Sequence, residues 1–168
     1  SRIVDLRYSV ERAAVETIKT GQPQGVNRLI FAMEGDSSGQ YFMTITLPSG
    51  RKLYYAKPFL VPNSRGFESI RYRGVNQGKW REIDTYGGKL VENIVQAIAR
   101  DCLAVNIERL ESAGFPVVFH VHDEIVIEMP EDKADLGKVT AIMSQPIDWA
   151  PGLPLKAEGW VDCHYKKD

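Results

Sequence analysis

At 168 residues, with 43% hydrophobic and 26% charged side chains, the chain has the length and composition of one globular domain, or part of one, with enough material to bury a core. No apolar run approaches the roughly 18 residues that a membrane-spanning helix requires, and no signal-peptide pattern is present, so membrane partners are not expected and a cytoplasmic setting is. The net charge of −1 conceals a segregation: nine Lys/Arg stand against three acids from Arg51 to Lys89, and seven stand against fourteen from Leu90 onward. A basic middle beside an acidic end suits a polyanion contact next to a cation site, and equally a solvated surface that segregates its charges. Cys102 and Cys163 are far apart and form no Cys-x-x-Cys pair, so reduced thiols are expected.

In chain order, Ile3, Leu6, Val10, Ala13, Ala14 and Ile18 recur at helical spacing, and Gly21 with Pro23 supplies a stop, which predicts a helix over 3–20. Short β-like runs follow at Arg28–Met33, Tyr41–Leu47, Lys52–Ala56 and Ser69–Val75, with a further short one near Trp80–Ile83. "EGDSSGQ" and "LPSG" read as hairpin turns, and Pro58, Pro62, Asn63, Ser64 and Gly66 mark a loop. Val91, Ile94, Ile98, Cys102, Val105 and Leu110 then define a long amphipathic helix over about Tyr86–Ser112, with Thr85 as its N-cap and Ala113-Gly114 as its end. Val117–Val121 and Ile125–Met129 read as the strands of a hairpin, Asp135–Ser144 as a shorter helix, and 155–165 as a final strand. Helix, meander, long helix, hairpin, helix and strand together imply an α+β fold, with long amphipathic helices on one face of an antiparallel sheet.

The hairpin carries the densest chemistry. "VVFHVHDEIVIEMP" places His122-Asp123-Glu124 where a two-residue turn normally takes Asn-Gly or Asp-Gly, because such turns require positive φ. Val117, Phe119 and Val121 share one strand face in a regular ladder, and Ile125, Ile127 and Met129 are in phase with them, which would pin the tip to a core. Asp123 and Glu124 offer the hard carboxylate oxygens that Mg²⁺ or Mn²⁺ prefers, with Asp123 at the apex as the primary ligand. Alternatively His120 and His122, with Asp123, could take Zn²⁺ in a metal-dependent hydrolase. In "SIRYRGVNQGKW", Arg71 and Arg73 fall on one strand face with aromatic residues interleaved, a stripe able to follow a phosphate backbone or simply an exposed strand with ordinary charges.

"HVHDEIV" resembles motif C of the family A DNA polymerases, whose core is His-Asp-Glu in a palm hairpin. "TYGGKLVENIVQAIARDCL" resembles the long palm helix of the phage and prophage branch of that family, in the right order and spacing before the hairpin, and "WAPGLPLKAEGW" resembles its last strand. The resemblance covers 67–168, and more loosely the first helix and the meander. It implies a palm-like α+β fold in a single partial domain. Within it, 1–66 would follow the fingers nucleotide-binding helix, and 67–168 would carry the long helix and motif C.

The activity implied is DNA-directed nucleotidyl transfer by two metal ions, with Mg²⁺ or Mn²⁺ as cofactor only where a motif A aspartate is also present, and primer-template DNA and dNTP as partners in the full enzyme. Asp123 takes the place of the metal-binding aspartate, Glu124 that of the accompanying acid, and His122 that of the residue positioning the primer terminus. Arg81 matches an arginine that touches the duplex. Lys89 is placed as a phosphate contact, and Asn93 lies one helical turn further on. Gly87-Gly88 would allow either a close backbone approach or a plain turn. No strand resembling motif A and no helix resembling motif B is found in the 168 residues. The expectations are therefore a C-terminal palm piece, inactive in isolation, either a truncation or one part of a split polymerase completed in trans by another chain. A homodimer through an exposed palm surface, or a non-catalytic DNA-binding module, are the further possibilities.

Overall fold

The computed structural model describes residues 2–62, 66 and 68–165. It is α+β and divides into two compact units, 1–97 and 98–168. Among the described residues no helix is long and apolar enough to cross a membrane.

In the first unit, helix α1 (Arg2–Thr20) precedes a six-stranded antiparallel meander in the order β1 (Gln24–Val26), β2 (Leu29–Gly35), β3 (Tyr41–Thr46), β4 (Lys52–Pro62), β5 (Glu68–Asn76) and β6 (Lys79–Thr85). The first turns of α2 (Gly87–Ser112) complete it. Helix α1 buries Val10, Ala13, Ala14 and Thr17, the face its 3.6-residue period defines. The sheet answers with Leu29, Phe31, Met43, Ile45, Tyr55 and Ile70. Register explains why these share a face: Phe31 pairs with Ile45, Met43 with Tyr55, and Ile70 with Thr85. Two contacts tie the start of α2 to the same sheet. Arg51 donates to the Ala97 carbonyl at 2.7 Å, and Asn93 Nδ2 donates to the Tyr55 hydroxyl at 3.1 Å.

Pro58 lies inside strand β4, not in the expected loop. The strand accommodates it through a bulge. Register slips by one residue between Ala56 and Phe59, and Lys57 takes φ 47°. A bulge is where a residue without an N–H can sit in a ladder. Asn63 and Ser64, also assigned to that loop, lie outside the described residues.

The second unit holds the rest of α2, the hairpin of β7 (Val117–Val121) and β8 (Glu124–Ile127), a 3-10 turn (Glu131–Lys133) and α3 (Leu136–Met143). Leu110, Phe115 and Ile142 form its core, with Val117, Ile125, Ile127 and Met129 packed against them. The end of α2 shows why. Gly114 takes φ 85°, Phe115 N–H returns to the Leu110 carbonyl at 2.9 Å, and Gly114 N–H returns to Glu111 at 3.0 Å. This is a Schellman stop, and it brings Phe115 onto Leu110 just before the hairpin begins. Asp135 caps α3 by accepting from Lys138 N–H at 2.9 Å. Arg109 closes its far side by donating to the carbonyls of Gln145 and Pro146.

Two expectations fail. Thr85 does not cap α2: it is the last residue of β6, its buried hydroxyl has no partner among the described residues, and the first α2 bond returns to the Tyr86 carbonyl. The segment 155–165 is not a strand. Among the described residues its backbone joins no ladder, and an extended run becomes a strand only through hydrogen bonds to a neighbour.

Candidate active-site hairpin and nucleic-acid contacts

Val121 pairs with Glu124, so the connection between β7 and β8 is the two-residue turn His122-Asp123. His122 takes φ 53°. Two other tight hairpins serve as comparison: β1–β2 turns at Asn27-Arg28 with Asn27 at φ 53°, as at His122, and β5–β6 uses Gln77 and Gly78 at φ 52° and 71°, the ordinary pattern of positive φ at both central positions. A left-handed non-glycine residue costs roughly 1–2 kcal/mol, and histidine is among the residues that tolerate it better. The result is a rigid tip presenting His122 and Asp123 to solvent, with Glu124 half-buried at the first position of β8.

The expected facing of the hairpin is overturned by a second bulge. Val117 pairs with Ile127 but Phe119 pairs with Val126, so one extra residue, Val118, interrupts β7. Beyond it the alternation inverts. Val117 stays on the core side with Ile125 and Ile127, whereas Phe119 and Val121 fall on the face of Glu124 and Val126. Among the described residues, pinning to the core is therefore supplied by Val117, Ile125, Ile127 and Met129. Phe119 is 42% exposed and meets Tyr165 instead, ring centroids 5.3 Å apart and nearly perpendicular. Tyr165 also donates its hydroxyl to Glu124 Oε2 at 3.1 Å. That bond to a carboxylate raises the Tyr165 phenol above its ordinary range.

His120 pairs across the ladder with Ile125 and is exposed. The Arg100 guanidinium approaches both of its ring nitrogens at 3.0 Å. A neutral imidazole offers one acceptor, so one of these approaches is a hydrogen bond. With a cation against His120, the zinc-hydrolase arrangement loses a ligand. Among the described residues His120, His122 and Asp123 do not gather into a group of metal-ligating atoms within 4.8 Å of one another. Asp123 and Glu124 remain as an oxygen-only pair, the donor chemistry that Mg²⁺ or Mn²⁺ takes. Sequence reasoning missed Phe119, Tyr165 and Arg100. Tyr165 lies 41 residues beyond Glu124, and no local pattern links them.

In the first unit the residues expected to touch nucleic acid divide. Arg71 Nε donates to Asp84 at 2.5 Å, Arg73 lies 3.8 Å from Glu82, and Lys89 lies 3.0 Å from Glu92. The β5–β6 register sets the first two pairs directly opposite each other. Asp84 accordingly raises the Arg71 guanidinium further above its ordinary value. The Asn93 amide is engaged by Tyr55. Arg81, opposite Gly74, is exposed and carries no ion pair among the described residues, which leaves its guanidinium accessible to a phosphate. Gly87 does permit a close backbone approach, but to α1. A Cβ there would fall against the Arg7 carbonyl oxygen and 2.9 Å from Glu11 Cβ.

No family model matches the chain, and no solved structure matches it. It is 51% identical over 170 residues to a protein of Bacillus phage SP02 named DNA polymerase, across 99% of this chain. The chain spans 26% of the length of that relative.

Proposed function

We propose that this chain is the palm portion of a family A DNA polymerase of the phage and prophage type, carrying motif C at the tip of the β7–β8 hairpin. The observation that carries the reading is the 51% identity, over essentially the whole chain, to about a quarter of a phage DNA polymerase. The hairpin supports it: a strained, core-backed turn presents Asp123 to solvent at its tip, with Glu124 next in sequence at the start of β8. Asp123, with Glu124 beside it, would hold Mg²⁺ or Mn²⁺, which supplies neutralisation of charge on phosphoryl oxygens in nucleotidyl transfer. Tyr165 orients the Glu124 carboxylate, and His122 stands at the apex where a primer terminus would be positioned. Primer-template DNA and dNTP are the partners of this reading, with Arg81 the foremost phosphate contact.

The 168 residues alone do not extend primers in this reading. Among the described residues no third metal-ligating side chain joins Asp123 and Glu124, and one carboxylate pair cannot hold two ions. The test is a chimera in which this chain replaces the matching quarter of the phage SP02 polymerase. Primer extension with Mg²⁺ should be retained by the chimera, be absent from the isolated chain, and fall by about 100-fold or more in Asp123→Asn. Exposed Glu128→Gln serves as the control for folding of the chimera. Full extension by Asp123→Asn, or extension by the isolated chain, overturns the assignment. Duplex binding by the isolated chain without any dependence on Asp123 in the chimera would favour a non-catalytic DNA-binding module.

A further inference from the structure

Asp162, Cys163 and His164 are successive exposed residues in the extended tail of the second unit, outside the hairpin site. In a straight extended segment neighbouring side chains point to opposite sides. Here the backbone bends at Cys163-His164, and all three donor atoms turn toward one point. Cys163 Sγ lies 3.3 Å from His164 Nδ1 and 3.5 Å from Asp162 Oδ1, and the third edge, His164 Nδ1 to Asp162 Oδ1, is 3.6 Å. A tetrahedral zinc ion holds sulfur at about 2.3 Å and nitrogen or oxygen at about 2.0–2.2 Å, which sets its ligands about 3.4–3.6 Å apart. The triangle therefore has the size and the donor types of one face of such a site.

We propose that Asp162, Cys163 and His164 form a three-ligand site for a borderline-soft divalent transition-metal ion, with Zn²⁺ the best match and a fourth position open to solvent. One thiolate, one imidazole nitrogen and one carboxylate oxygen select against Mg²⁺, which takes oxygen ligands in octahedral geometry. On binding, the Cys163 thiol gives up its proton to solvent and the sulfur becomes the anionic ligand. The site is thus chemically orthogonal to Asp123 and Glu124. It is also placed to matter to them, because the next residue is Tyr165, which packs on Phe119 and donates to Glu124. An ion held at 162–164 fixes the chain one residue before that contact.

The test is titration of the full 168-residue chain with Zn²⁺ by calorimetry, and with Co²⁺ by absorption, both in excess Mg²⁺. One ion should bind per chain, and Co²⁺ should show a thiolate charge-transfer band. Cys163→Ser should abolish that band. His164→Ala and Asp162→Asn should each weaken Zn²⁺ binding by about 10-fold or more, at least the loss typical of a supporting residue. Glu158→Gln, also exposed in the tail, should leave affinity unchanged. Failure to bind Zn²⁺, or undiminished affinity in any one of the three ligand variants, overturns the site.

Discussion

Substituting Gly87 by alanine sets two effects of known size against each other. Alanine is favoured over glycine in a helix interior by about 1 kcal/mol, and by less at the first helical residue, where Gly87 sits. Against this, the new Cβ meets the Arg7 carbonyl oxygen and Glu11 Cβ on α1. A main-chain oxygen inside a packed helix cannot swing aside as a side-chain tip can, so α1 and α2 must separate locally. Overpacking of this kind costs about 1–3 kcal/mol, and a backbone obstacle belongs in the upper half of that range. The clash wins, with a net loss of about 1–2 kcal/mol. Two glycines provide internal controls. At Gly88 the obstacles are the Tyr86 ring edge and Arg7 Cδ, both exposed side-chain atoms free to move. At Gly137, inside α3, the nearest atom is Asp135 Oδ1 at 3.5 Å, an ordinary contact. Gly88→Ala should be near neutral and Gly137→Ala stabilising by up to about 1 kcal/mol. Urea denaturation of the three variants, compared at equal slope, measures the order. If Gly87→Ala is as stable as Gly88→Ala or more so, the assignment of Gly87 to helix packing is refuted.

Leu110→Ala removes a fully buried side chain beneath Phe115 and the hairpin, and should cost about 3 kcal/mol in urea unfolding of the second unit. Burial, with Asp101 contributing less, raises the Cys102 thiol above its ordinary range, so in metal-free protein a thiol reagent should modify exposed Cys163 at once and Cys102 only on unfolding. Glu34 is held below the usual carboxylate range, first by its bond from Lys52 and further by the buried Thr44 hydroxyl. A depressed folded value means stabilisation that is complete above the unfolded carboxylate range and lost as pH falls through the folded one. Glu34→Gln should therefore be less stable than the parent near neutrality, the difference closing in acid; a constant difference across pH would remove the pair from the account. For primer-template binding, Arg81→Ala should lower the salt dependence of affinity by about one phosphate contact, whereas Arg71→Ala and Arg73→Ala should change it less.

Local periodicity accounts for the part of the fold that is legible in the chain itself. The helical recurrence of Val10, Ala13 and Ala14, the glycine stop at Gly114, and the two runs flanking His122-Asp123 all appear where their spacing places them. Positive φ at His122 was legible for the same reason, since a two-residue turn demands it whatever lies elsewhere. Tertiary structure decided what depends on partners distant in sequence. The bulge at Val118 turned Phe119 and Val121 away from the core, and the bulge at Lys57 kept Pro58 inside a strand. The β5–β6 register paired Arg71 with Asp84 and left Arg81 without an ion pair among the described residues. The approach of α1 gave Gly87 its role, and the tail brought Tyr165 onto Glu124. Local spacing specifies a residue's own dihedral angles and which side of its own element it faces. Which charge is neutralised, which glycine is crowded and which carboxylate is oriented depend on distances between elements, and a linear pattern does not contain those distances.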